Sequence, residues 1–162
     1  MKKIEVDHLK IGEDRFPVYC DLNALDQLQE KYGSITEFER KLMGWEIVRD
    51  EDGEPERDDE GNIKKKNTEP SARVILDTLL IMIEEGQKIE ERYGAEEDSY
   101  TDKVTMEDLE TMPLDGANLY TLSNALHVVF MKTFIQKKSN EIKEEQPKKK
   151  KTSSSISTGS TS

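Results

Sequence analysis

Cysteine is nearly absent from this chain: Cys20 stands alone among 162 residues. No internal disulfide is possible, which fits a reducing compartment, and Cys20 reads as a small buried hydrophobe. Histidine is almost as scarce, and nothing in the sequence clusters with either His8 or His127. The nine glycines are scattered at turns and caps, so no glycine-rich phosphate loop exists. No apolar run approaches the roughly 20 residues that span a bilayer. The start, Met1-Lys2-Lys3-Ile4-Glu5-Val6-Asp7, meets an acid too soon for a secretory segment. Positive charge is in deficit too, with 24 basic against 35 acidic residues, and four of the basic ones fall in the run Lys148 to Lys151. So acidic a surface repels phosphate backbones and resists self-association. These absences lead us to expect a cytosolic protein that is not an enzyme, with no cofactor, no metal, no nucleic-acid partner and no membrane partner.

What is present is charge and helical periodicity. Charged residues make up 36% of the chain and hydrophobic ones 33%, and mean hydropathy is -0.82. A chain of this length holds one thin-cored domain with tails. Ile4, Val6, Leu9 and Ile11, a turn at Gly12-Glu13-Asp14-Arg15, and Phe16, Val18 and Cys20 predict an N-terminal β-hairpin. Pro17 lacks an N–H and marks the second strand as an edge. Asp21 caps a helix through Leu22, Leu25, Leu28 and Tyr32 that closes at Gly33. Ser34 or Thr36 opens a second helix carrying Ile35, Phe38 and Leu42, ending at Gly44.

Residues 45–67 predict a solvated β-like acidic excursion, with turn chemistry at Asp52-Gly53 and Glu60-Gly61-Asn62. Glu56, Asp58, Glu60, Gly61 and Ile63 mimic part of a calcium loop, but Asn67 stands where a bidentate glutamate is needed. A solvated turn is the better reading. Pro70 starts a long apolar helix to about Tyr93, Thr105 to Asp108 opens a short one, and a last helix runs from about Ala117 to Lys138. The expected fold is mainly α (α+β), a small helical domain of about five helices spanning residues 1–145. Residues 146–162 are expected to form a disordered Lys/Ser/Thr tail.

The two long helices each carry two apolar stripes. In one, Ile75, Leu76, Leu79, Leu80, Met82 and Ile83 form a wide face, while Val74 and Ile81 lie opposite among Asp77, Thr78, Glu84 and Glu85. In the other, Leu119, Leu122, Leu126, Val129, Phe130 and Phe134 form one stripe and Tyr120, Val128, Met131 and Ile135 a second. Either the helices are central and packed on two sides, or one stripe of each docks a partner. On the docking reading the partner-binding residues are Val74, Ile81, Tyr120, Val128, Met131 and Ile135.

Several segments together resemble the tail assembly chaperones of phages and prophages of Gram-positive hosts. They are Phe16-Pro17-Val18-Tyr19-Cys20-Asp21-Leu22-Asn23-Ala24-Leu25 leading to Glu30-Lys31-Tyr32-Gly33-Ser34-Ile35, then Gly44-Trp45-Glu46-Ile47, then Thr68-Glu69-Pro70-Ser71 with Glu84-Glu85-Gly86, and Val104-Thr105-Met106-Glu107-Asp108-Leu109. The similarity covers roughly residues 15–135 and rests on order and spacing. It implies a helical protein of the bacterial host cytoplasm that binds the aggregation-prone tape-measure protein, helps recruit tail-tube subunits and is absent from the finished virion. It also implies that programmed frameshifting can give a longer product contacting the tail-tube protein. Lys148 to Lys151 is either the trace of such a slippery sequence or an ordinary basic tail. The alternatives are an acidic adaptor or inhibitor that mimics DNA, and a minor virion tail component.

Overall fold

A computed structural model describes residues 4–114 and 117–133 of the chain. In order, the elements are β1 (Asp7–Ile11), β2 (Asp14–Val18), α1 (Leu22–Tyr32), α2 (Ile35–Met43), β3 (Trp45–Ile47), β4 (Lys65–Asn67), α3 (Ala72–Tyr93) and α4 (Met106–Glu110). Residues 119–133 are helical as well and are called α5. The protein is a small α+β domain with five helices among the described residues. Packing divides the chain into Met1–Phe130 and Met131–Ser162. The boundary expected at 145, and the tail beyond it, lie outside the described residues.

The hairpin is tighter than the sequence predicts. Gly12 and Glu13 alone make the turn, Gly12 adopts φ +65°, and Ile11 pairs with Asp14. The first strand begins at Asp7, not Ile4, because its partner stops at Val18. There the chain leaves the sheet, and the Tyr19 N–H donates instead to the Met82 carbonyl of α3 at 3.0 Å. The outer side of β2 meets the segment after α3, where the Tyr100 N–H donates to the Arg15 carbonyl at 2.8 Å.

Helix ends follow local chemistry closely. Asp21, Ser34, Ser71 and Thr105 each accept a backbone N–H from three residues on, and Thr105 with Asp108 completes a capping box. Gly44 closes α2 at φ +80°. It also lets two backbones meet, since a Cβ there would lie 2.6 Å from the Thr68 carbonyl oxygen.

Helix α3 sits at the centre. Between Val74 and Ile83 it buries Val74, Ile75, Asp77, Thr78, Leu79, Ile81, Met82 and Ile83, leaving Leu76 and Leu80 half-buried. Three of its acids, Asp77, Glu85 and Glu90, are buried, and each has partners. Asp77 accepts from the Tyr32 hydroxyl at 2.6 Å and pairs with Lys31 at 3.1 Å. Burial, then this bond, raises the Tyr32 phenol above its ordinary pKa. Glu85 accepts from Asn23 and Lys88, and Glu90 from the Ser99 hydroxyl.

Two features give direct tests. A Cβ on Gly86 would stand 2.7 Å from the Pro17 carbonyl carbon and oxygen, which are backbone atoms with nowhere to retreat. In an exposed helix, glycine to alanine stabilises by up to about 1 kcal/mol. Here Gly86→Ala is expected to destabilise by about 1–3 kcal/mol, measured by urea unfolding. Asp21 and Glu85 form a carboxylate pair. Burial, followed by the proximity of Glu85, raises Asp21. Burial opposes ionisation of Glu85, yet bonds from Lys88, Asp21 and Asn23 hold it below its usual range. The folded state therefore binds the Asp21 proton more tightly than the unfolded chain, and stability is lost as pH rises through that raised pKa. Asp21→Asn retains a capping oxygen and removes the like charge. Its Tm should exceed wild type at pH 7, with the gain shrinking as pH falls through the carboxylate range.

Candidate interaction surfaces on helix α5 and the acidic arm

The six residues of the expected docking stripes separate in the structure. Val74 is 3% exposed and Ile81 8%, which corrects the reading of a free second face on α3. Asp77 and Glu85 mark contact with α1 rather than with water, and the Thr78 hydroxyl donates to the Val74 carbonyl of its own helix, so Val74 and Ile81 belong to the core. The signal was available: over its first three turns this helix is apolar nearly all round, as central helices are. On α5 the outcome differs. Leu122, Leu126, Val129 and Phe130 are buried, whereas Tyr120 is 57% and Val128 56% exposed. Met131 is half-buried and belongs to the second unit. Ile135 and Phe134 lie outside the described residues.

Contacts with α2 fix which side of α5 faces out. Phe130 meets the Phe38 ring of α2 edge-on at 5.3 Å between centroids. One residue before Val128, His127 Nε2 lies 2.7 Å from the Glu39 carboxylate. These contacts lock the inner stripe onto α2. Tyr120 and Val128 then stand two turns apart on the outer side, with exposed Asn124 between them.

Neither histidine is isolated, contrary to the sequence reading. His8 is nearly enclosed, with Nε2 2.9 Å from Glu90 and Nδ1 3.5 Å from Glu96. Arg15 reaches Glu96 at 3.0 Å and Asp98 at 2.8 Å. The Ser99 hydroxyl donates to Glu90 at 2.6 Å. The carboxylate thus stands between serine and imidazole, so the imidazole is not placed to take the serine proton. The cluster clamps the segment after α3 onto the hairpin. Residues this far apart in sequence leave no local motif.

The acidic excursion is an ordered arm with an eight-residue repeat that the sequence reading missed. Arg49-Asp50-Glu51-Asp52-Gly53-Glu54 and Arg57-Asp58-Asp59-Glu60-Gly61-Asn62 fold alike. In each, the aspartate Oδ1 accepts two backbone N–H groups, Asp52 and Glu54 onto Asp50, and Glu60 and Asn62 onto Asp58. In each, the arginine donates to the glycine carbonyl, at 2.9 Å for Arg49–Gly53 and 2.8 Å for Arg57–Gly61. The Asp58 carboxylate oxygen that a calcium loop would use is turned to its own backbone. Among the described residues no group of three or more histidine, cysteine or acidic side chains is arranged to hold a metal.

Three hairpin stems meet where the repeats join. Val48 N–H donates to the Lys64 carbonyl at 3.0 Å, Lys64 N–H to Glu56 at 2.8 Å, and Glu56 N–H to Val48 at 2.9 Å. The ring of donors and acceptors is closed. At its base the arm is pinned by the Thr68 N–H, which donates to the Gly44 carbonyl at 2.7 Å.

No helix among the described residues is long and apolar enough to cross a membrane. No family model, curated protein or solved structure matches this chain.

Proposed function

We propose that the protein is a phage tail assembly chaperone that binds and solubilises the tape-measure protein, with the outer face of α5 as part of the grip. The observation that carries this reading is the exposed pair Tyr120 and Val128 on a helix whose opposite side buries Leu122, Leu126, Val129 and Phe130. A holding protein must offer apolar surface without aggregating itself, and a net charge of -11 serves that need. The resemblance in order and spacing over residues 15–135 supplies the partner's identity. On this reading the protein has no catalytic role and no cofactor. It acts in the bacterial cytoplasm, assists recruitment of tail-tube subunits, directly or through a longer frameshifted product, and is left out of the virion.

The contact surface is narrower than six residues. Substitutions at Val74 or Ile81 would report on folding, so they are poor probes of binding. Tyr120→Asp combined with Val128→Asp is expected to leave the circular dichroism and Tm near wild type. Co-expressed with the tape-measure chain, wild type should keep that chain soluble and the double variant should not. Affinity should fall by about 30-fold or more, as when a hot spot worth about 2 kcal/mol is removed. Full rescue by the double variant moves the grip elsewhere. Failure of wild type to rescue removes the chaperone reading itself.

A further inference from the structure

The arm has two unlike faces. Residues directly opposite in an antiparallel pair share a face, as do alternate residues along a strand. The pairs Ile47–Lys65, Arg49–Pro55 and Arg57–Ile63 therefore place six side chains on one face, around the closed ring of hydrogen bonds. Apolar and cationic residues alternate around that ring: Ile47, Arg49, Pro55, Arg57, Ile63, Lys65. Trp45 shares this face, and the Lys65 ammonium stands 4.4 Å from the centre of its ring. The opposite face pairs its own cations, Lys64 with Glu56 at 3.7 Å and Lys66 with Glu46 at 2.9 Å. Arg49, Arg57 and Lys65 have no carboxylate within ion-pair distance among the described residues, although the arm's turns are crowded with acids. Arg49 acts on Glu37 of α2 only through space. In each turn one acid, Asp50 or Asp58, is engaged by two backbone N–H groups of its own turn and so is turned to the backbone rather than to this face.

We infer that this face of the arm is a second interaction surface, for a segment of another protein in which carboxylates alternate with apolar side chains. Charge complementarity chooses the partner. Three cations left unpaired in a molecule of net charge -11 fit a short run of acids, and the isoleucines, proline and tryptophan between them fit apolar groups at the same pitch. Aromatic and arginine side chains are also those that most often anchor interfaces. A nucleic acid fits less well, because its continuous phosphate charge would run into the acidic turns that border the face. The inference is independent of the α5 grip and stands whether or not the chaperone reading holds.

The chain's single tryptophan lies on the face and reports binding directly. The full chain is titrated with a short synthetic peptide of alternating glutamate and leucine while Trp45 emission is followed. Polyglutamate and oligo-dT of the same length serve as comparators. The mixed peptide should bind best, and Arg49→Glu with Arg57→Glu should weaken it about tenfold or more, the scale of one lost charge-assisted contact. Because both arginines also brace their turns, Lys65→Glu provides a second variant that leaves those bonds intact, and it should weaken binding as well. Equal binding by wild type and both variants overturns the proposal. So does tighter binding of oligo-dT, or polyglutamate binding as well as the mixed peptide. Sedimentation showing self-association that the variants abolish would assign the face to a second copy of this chain instead.

Discussion

The whole domain depends on the close approach of two backbones, where strand β2 lies directly on helix α3 at Gly86. With no side chain at that position, Pro17 and Val18 settle against the helix and Tyr19 bonds its Met82 carbonyl. The strand then turns into α1 at a height that brings Tyr32 to Asp77 and Asn23 to Glu85. A methyl group at Gly86 would lift the hairpin and disturb all of these contacts together. Small domains have little area to spare, and this one solves the shortage by wrapping a single long helix on nearly every side.

That wrapping explains where sequence reasoning succeeds and where it stops. Helix starts and stops are local chemistry, so Asp21, Ser34, Gly44 and the Thr105–Asp108 box are readable from neighbours alone. The inner stripe of α5 is readable too, because its 3.6-residue period is undisturbed on a helix with one packed side. The fate of Val74 and Ile81 is not readable from period alone. Acids beside them imply water, yet Asp77 and Glu85 are buried against α1 by partners 45 or more residues away in sequence, and only tertiary structure supplies those partners. The same holds for His8 and Glu90, which no spacing rule connects.

The arm shows a different kind of miss. Its composition announces turns, and the turns are there, but composition hides the order within them. The repeat of arginine, aspartate and glycine at a period of eight is plain once Arg49 is set beside Arg57 and Gly53 beside Gly61. Acidity drew the eye to cations as ligands. The physical role of Asp50 and Asp58 is to hold backbone amides, and the chemistry of interest lies with the basic residues on the adjoining face.

The neck at Gly44 and Thr68 has a wider consequence. Both ends of the arm meet there through one short hydrogen bond, so the body is presented with the same narrow footprint whatever the excursion contains. Closure entropy grows only slowly with loop length. The excursion can thus lengthen, shorten or change its lettering while the helices beneath remain undisturbed. Such an arrangement leaves one portion of the protein at liberty to track a changing counterpart, and the rest under no obligation to follow.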